Sequence, residues 1–150
     1  MKFTALLVVA GLLAGTGCGP AKPFPIDLGH EPCDHCHMTL ADRRFAAELV
    51  TRTGRQFRFD DIGCLATFLA DSGAQVSAGG RAWVSDFLHP DQWIPADSAT
   101  YLRSSSVHTP MASGIVAVRT EVSLDSLAVA LSGARLSWVQ VLATARDSVH

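Results

Sequence analysis

Residues 33 to 38, which read Cys-Asp-His-Cys-His-Met, place two thiols, a thioether and two imidazoles in one short segment. Thiolate and thioether sulfurs are soft ligands that select Cu(I), and Zn(II) is the main competitor for such a set. A disulfide framework would spread its cysteines along the chain, and a serine-type active site would not need the methionine. This segment therefore predicts a metal site.

The ligand types favour copper over zinc. Zinc normally takes four ligands, often from a second C-x-x-C pair, and the sequence has no second pair. It also has no helical His-x3-5-His pair downstream of the cysteines, as a Cys2His2 finger would need. Cu(I) accepts two or three soft ligands and gives Met38 a role.

Two alternatives stay open at this point. A C-x-x-C pair also serves thiol–disulfide exchange when its first thiolate is stabilised at a helix N-terminus. Here His30-Glu31-Pro32 precedes the pair instead of a buried strand, and no long thioredoxin-like β-α-β unit surrounds it. The other alternative is a structural zinc domain, which would unfold when its metal is chelated.

The beginning of the chain is typical of a secretory signal. Lys2 is followed by an apolar run and by small residues up to Cys18, and the run is too short to span a bilayer permanently. Residues 13–18, Leu-Ala-Gly-Thr-Gly-Cys, resemble a lipobox, although Gly15 stands where leucine is usual. We expect a signal peptide over 1–17, a lipidated Cys18, a tether over 18–30 and one domain over 31–150.

Composition excludes some functions. Without residues 1–17 the formal net charge moves from −2 to −3, and the arginines are scattered among acids with no basic run, which argues against nucleic-acid binding. Lipidation of Cys18 would leave Cys33, Cys36 and Cys64 as an odd set in an oxidising compartment. Three thiols cannot all pair within one chain, so at least one needs a role or deep burial.

Hydrophobic periodicity predicts an α+β fold, a small single domain built from two β-hairpin-plus-helix halves. The first half comprises strands 45–50 and 56–59 and a helix that begins after Asp60 or Asp61 and ends near Gly73. A strand over 82–87 and short extended pieces at 94–95 and 101–102 follow. The second half has a strand at 114–118, a helix capped at Ser123 that ends at Gly133, and a last helix over 137–145.

Four segments in this order resemble the NosL family of copper-chaperone lipoproteins. They are Cys36-His37-Met38, the run Phe57-Arg58-Phe59-Asp60-Asp61-Ile62-Gly63-Cys64, Trp83-Val84-Ser85-Asp86-Phe87, and Thr109-Pro110-Met111-Ala112-Ser113-Gly114. The resemblance runs from about Glu31 to about Leu131. It implies an extracytoplasmic, membrane-anchored protein that binds Cu(I) and delivers it for maturation of nitrous oxide reductase.

The resemblance also implies particular ligands. Cys36 is the principal thiolate by analogy, Met38 matches the methionine of the family's Cys-Gly-Met motif, and Met111 matches that of its Pro-Met-Gly-like motif. This chain departs at both glycines, where it has His37 and Ala112. No catalytic residue is implied, and the expected partners are the recipient enzyme or its assembly factors, with another recipient, such as an oxidase, as an alternative.

The remaining candidates have two interpretations each. Cys33 is a second thiolate ligand or the disulfide partner of Cys36, and Cys64 is a thiolate in the first turn of a helix or a small core residue. His35, His37 and His108 are ligands or exposed loop residues. Asp60 and Asp61 are better explained as helix caps, because carboxylates suit harder ions. The predicted metal ligands are therefore Cys36, Met38, Met111, Cys33 and Cys64.

Overall fold

A computed structural model describes residues 22–147 of the chain, with the side chains of 72–77 and 146–147 excepted. The predicted signal peptide and the predicted lipidation site at Cys18 lie outside the described residues. The strands are β1 Ala47–Val50, β2 Gln56–Phe59, β3 Arg81–Ser85, β4 Trp93–Pro95, β5 Thr100–Arg103, β6 Ile115–Val118 and β7 Ala134–Leu136. The helices are α1 Ile62–Ser77, α2 Glu121–Leu131 and α3 Trp138–Asp147, and a 3-10 turn spans Arg43–Phe45.

The strands form two antiparallel sheets, in the orders β2-β1-β3-β4 and β6-β5-β7. The first sheet carries the hairpin β1-β2 followed by α1, and the second carries the strands β5 and β6 followed by α2. The α+β class and the two related halves are thus confirmed. Sequence reasoning missed β7, which is only three residues long and pairs with β5 from a distant part of the chain.

Side chains along each strand of the first sheet point alternately to its two faces, and this alternation decides which residues pack on α1. Leu49 lies opposite Phe57, and Ala47 lies opposite Phe59, so one face is entirely apolar and packs on α1. Phe68 of α1 contacts both phenylalanine rings, with centroids 4.9 Å and 5.1 Å away. This packing fixes the start of α1 beside the end of β2, and the candidate metal site is built there.

Two predicted helix boundaries were wrong. The helix α1 continues through Gly73 to Ser77, because one helical glycine costs only about 1 kcal/mol relative to alanine. The helix α2 begins at Glu121 and is capped by Thr120, whose hydroxyl accepts from the amide of Ser123 at 3.2 Å. Ser123 is therefore the third residue of the helix, and the cap lies three residues earlier than predicted.

The segment before the first sheet packs against it. The amide of Phe24 donates to the carboxylate of Glu48 at 3.0 Å, and Ile26 is 4% exposed within the main core. Arg43 donates to the carbonyl of Ile26 at 3.0 Å. The packed part of the chain thus reaches back at least to Phe24, within the region predicted as a tether. Among residues 22–147, no helix has the length and apolar content needed to cross a membrane.

Candidate metal centre

The loop that carries the first two cysteines is closed by its own backbone. The amide of Cys33 donates to the carbonyl of Met38 at 2.8 Å, and the amide of His37 donates to the carbonyl of Cys33 at 3.0 Å. Two bonds between Asp34 and Arg58 fasten the loop to β2. The amide of Asp34 donates to the carbonyl of Arg58 at 2.8 Å, and the amide of Arg58 donates to the Asp34 carboxylate at 2.6 Å. Both thiols are therefore held beside the end of β2.

The third cysteine comes from the first turn of α1. Asp61 is the N-cap of this helix, and its carboxylate accepts from the amide of Gly63 at 2.6 Å, in agreement with the sequence-based prediction. Cys64 follows one residue later and faces the loop. Asp60, for which the sequence also favours a capping role, does not cap the helix but contacts the cysteines.

These elements bring four side chains together. Ligand atoms of Cys33, Cys36, Cys64 and Asp60 all lie within 4.8 Å of one another. The thiol of Cys36 donates to both carboxylate oxygens of Asp60 at 3.5 Å. The three cysteines are free thiols, of which Cys33 and Cys64 are buried and Cys36 is half-buried. We call these four residues the thiol cluster; a single ion at its centre would reach all four.

The electrostatics of the cluster concentrate negative charge on Cys33. The pKa of this thiol is lowered to about 6, chiefly because the thiol of Cys64 donates a hydrogen bond to it. Burial opposes this shift, and hydrogen bonds from the backbone of Cys36, Asp60 and His35 reinforce it. Cys33 is 0% exposed, so the geometry supports a buried thiolate with hydrogen bonds on several sides.

The other two thiols keep their protons. Burial raises the pKa of Cys36 to about 11, and the neighbouring Cys33 thiolate adds to the rise. The pKa of Cys64 is also raised, first by its hydrogen bond to Cys33 and then by burial. The helix dipole favours a thiolate at Cys64, but burial and the role of hydrogen-bond donor outweigh it. The family resemblance implies Cys36 as the principal thiolate, whereas here the acidic thiol is that of Cys33.

Asp61 ties the loop that contains Met111 to the same helix start. Its carboxylate accepts from the amide of Met111 at 3.0 Å and from the hydroxyl of Ser113 at 2.5 Å. A β-carbon added at Gly63 would lie 2.8 Å from the β-carbon of Ser113, so only glycine lets the helix and the loop approach so closely. A cavity of about 250 Å³ opens between them, and His35, Cys64 and Met111 line it.

The two methionines are the exposed members of the predicted ligand set. Met38 is 54% exposed on the cysteine loop, and Met111 is 44% exposed at the cavity. The structure therefore brings three predicted ligands, Cys33, Cys36 and Cys64, into one cluster. It places Met111 beside a cavity that reaches Cys64, and Met38 at the surface of the loop.

The histidines near the site differ in their surroundings. His35 lines the cavity with Cys64 and Met111. His37 is exposed on the cysteine loop, and His108 lines a neighbouring cavity with Thr109 and Ser113. None of the three belongs to the thiol cluster within the described part of the chain.

Sequence reasoning missed Asp60 as a member of the cluster. One sequence signal could have found it. Asp60 directly follows β2, and the cysteine loop is bonded to β2, whereas Asp61, next to the first residue of α1, takes the cap position. Carboxylate oxygen is a harder ligand than sulfur, and it gives the cluster a fourth donor that Zn(II) would also accept.

The two departures from the family motifs share one backbone feature. His37 has φ 63° and Ala112 has φ 57°, both in the left-handed region that glycine adopts without a steric penalty. A glycine in each motif is therefore explained by loop conformation. His37 adopts the backbone conformation that glycine would adopt at this position, and its side chain is exposed, which supports its interpretation as an exposed loop residue.

Comparisons with known proteins agree with this architecture. Residues 23–144 match a model of the NosL family, which confirms the resemblance found in the sequence. The chain is also similar to the crystal structure of the copper chaperone NosL from Shewanella denitrificans, at 21% identity, with a TM-score of 0.66. That alignment covers 79% of this chain and 94% of the other. No curated protein matches the chain.

Proposed function

This chain belongs to the NosL family, and on that premise we propose that it binds Cu(I) at the thiol cluster and delivers the copper to another protein. The observation that carries the proposal is the convergence of three free thiols and one carboxylate within 4.8 Å. Sulfur donors in this number suit Cu(I), which prefers soft ligands at low coordination number. The similar protein of known structure is a copper chaperone, which adds support.

Delivery is proposed to proceed by ligand exchange without a catalytic step. Cys36 is half-buried, and the thioethers of Met38 and Met111 are exposed, so an incoming ligand can approach copper from the solvent side. Cys33 and Cys64 are buried and would bind the ion on the side that faces the protein interior. A partner ligand could therefore bind before the last donor ligand leaves, which keeps copper out of solvent.

The finer assignment follows the family resemblance. We propose that the chain is anchored outside the cytoplasm through a lipidated Cys18, and that the recipient is nitrous oxide reductase or one of its assembly factors. A different copper enzyme, such as an oxidase, is the alternative recipient. The proposed candidate ligands are Cys33, Cys36 and Cys64 with Met38 and Met111, of which Cu(I) would take about three at a time, and Asp60 joins these candidates on geometric grounds.

Thiol–disulfide exchange fits the geometry less well. An exchange catalyst needs an accessible thiolate, because the thiolate attacks the partner's disulfide. The acidic thiol, Cys33, is 0% exposed, and the accessible thiol, Cys36, has its pKa raised to about 11. The thiol with the low pKa is therefore not the thiol that a partner's disulfide can reach. An oxidoreductase would require a rearrangement of the loop before each attack.

The test is an anaerobic titration of the reduced protein with Cu(I) against a chromogenic competitor, and a parallel titration with Zn(II). We expect one copper per chain, weaker binding in Cys33→Ala and Cys64→Ala, and a smaller loss in Met38→Leu and Met111→Leu. Val129→Ala, at an exposed position of α2, is the control and should bind as the wild type does. Tight Zn(II) binding that outcompetes Cu(I), or unchanged Cu(I) affinity in both cysteine variants, would contradict the proposal.

A further inference from the structure

Three arginines form a basic patch at one end of the first sheet. Arg52 and Arg55 lie in the turn between β1 and β2, and Arg81 begins β3 opposite Val50. The guanidinium of Arg55 lies over the ring of Phe57 at 4.5 Å, and that of Arg81 lies over the ring of Trp83 at 4.9 Å. We call Arg52, Arg55 and Arg81 the arginine patch.

The charges of the patch are not neutralised by ion pairs. Within residues 22–147, none of its three arginines forms a salt bridge, whereas four other arginines do: Arg43, Arg44, Arg58 and Arg135. Two exposed acids, Asp71 late in α1 and Asp97 after β4, lie toward this end of the domain. The patch still keeps an excess of positive charge on a chain whose net charge is negative.

The patch and the thiol cluster lie at opposite ends of the domain. The helix α1 begins beside the cluster and ends just before the loop that leads to Arg81. Its 16 residues span about 24 Å at 1.5 Å per residue. The cluster end carries both signs of charge, because Asp34, Asp60 and Asp61 lie there together with Arg58 and Arg103. The three arginines of the patch are thus separated from the cluster by about the length of α1.

The first described residues are held beside β1, between the patch and the thiol cluster. Phe24 bonds to Glu48 in the middle of β1, and Ile26 bonds to Arg43, which precedes β1. Phe24 is thus held at Glu48, which pairs with Arg58, and the preceding chain joins the domain two residues along β1 from Val50, the partner of Arg81. Cys18 is four residues before Lys22 in the sequence, a reach of roughly 14 Å at full extension.

We propose that the arginine patch rests on the anionic headgroups of a lipid bilayer and thereby holds the thiol cluster away from the membrane. This inference rests on the lipidation of Cys18 proposed above, which would bring the bilayer within reach of the patch. An arginine close to an anionic surface strengthens membrane association about fivefold, and salt screens the effect. Three arginines orient a domain that a lipid already anchors, and the thiol cluster faces the side where a partner protein can reach it.

The test uses the chain from residue 18 with Cys18→Ser, so that charge alone governs binding, and vesicles of phosphatidylcholine with or without phosphatidylglycerol. We expect at least tenfold stronger partition onto the anionic vesicles at low salt, lost in the triple variant Arg52→Gln, Arg55→Gln, Arg81→Gln. The triple variant Arg103→Gln, Arg119→Gln, Arg135→Gln changes the net charge equally and should partition within about twofold of the parent chain. High salt should abolish the anionic preference of the parent chain.

Equal partition onto both vesicle types, or equal loss in both triple variants, would overturn the proposal. The Cu(I) titration of the first triple variant separates this inference from the proposed function. Its copper affinity should equal that of the parent chain, because the patch is a helix length away from the thiols. Weak copper binding by both chains would contradict the copper site, while the vesicle partition would still decide whether the patch contacts the membrane.

Discussion

Replacing Ala112 by glycine should stabilise the fold by about 1 kcal/mol. Ala112 has φ 57°, and a non-glycine residue in this left-handed region costs roughly 1–2 kcal/mol. Glycine offsets about 0.5–1 kcal/mol of this gain, because it makes the unfolded chain more flexible. Removing the methyl of Ala112 costs little packing, because the residue is exposed. The net gain corresponds to a rise in Tm of about 4 °C for a chain of this length.

The measurement is urea unfolding of the reduced protein, followed by fluorescence of its tryptophans, with the slope of the transition unchanged by the substitution. Ala143→Gly, at an exposed position inside α3, is the matched control and should lose about 1 kcal/mol. The same substitution thus has opposite signs at the two sites. If Ala112→Gly is no more stable than the wild type, the explanation of the family glycine by backbone conformation is refuted.

Three further substitutions probe the cluster and the sheet. Gly63→Ala should cost about 1–3 kcal/mol of unfolding free energy and weaken Cu(I) binding, because its methyl would meet Ser113 at 2.8 Å and push the Met111 loop from the site; unchanged values in both assays would contradict this. Burial raises the pKa of Glu48 to about 7, so the folded state keeps a proton that the unfolded state releases from about pH 4.5 upward. The unfolding free energy of the wild type relative to that of Glu48→Gln should therefore fall by up to about 3 kcal/mol between about pH 4.5 and 7, and urea unfolding across this range should show no such change relative to exposed Glu121→Gln. Cys33→Ala should lower the pKa of Cys64 toward its usual range by removing the thiolate to which Cys64 donates, and the pH dependence of thiol alkylation in the folded protein measures this; an unchanged pKa would contradict the assigned hydrogen bond.

Local signals predicted much of the fold. The strand at 56–59 and the cap at Asp61 could be predicted because alternation and capping chemistry act over a few residues. The strand β7 and the true start of α2 could not. A three-residue strand exists only through its distant partner β5, and both Thr120 and Ser123 are good capping residues by type.

Some features of the candidate site could likewise be predicted from the sequence, and others depend on the folded structure. The C-x-x-C spacing indicated that Cys33 and Cys36 could reach one ion, and Cys64 was also a predicted ligand. Only the contact between the cysteine loop and β2 shows that Cys64 and Asp60 lie beside the first two thiols. The acidity of Cys33 was also inaccessible to sequence reasoning. It depends on a hydrogen bond from Cys64 and on backbone amides that only the folded loop brings to the sulfur.

X-ray absorption at the copper edge of the Cu(I)-loaded protein tests the central claim most directly, because it identifies the atoms bound to the metal. The thiol cluster predicts coordination dominated by sulfur, with about three sulfur ligands, and the loss of one sulfur in Cys64→Ala. Coordination by nitrogen and oxygen alone, or a sulfur count that Cys33→Ala and Cys64→Ala leave unchanged, would contradict a copper site at this cluster.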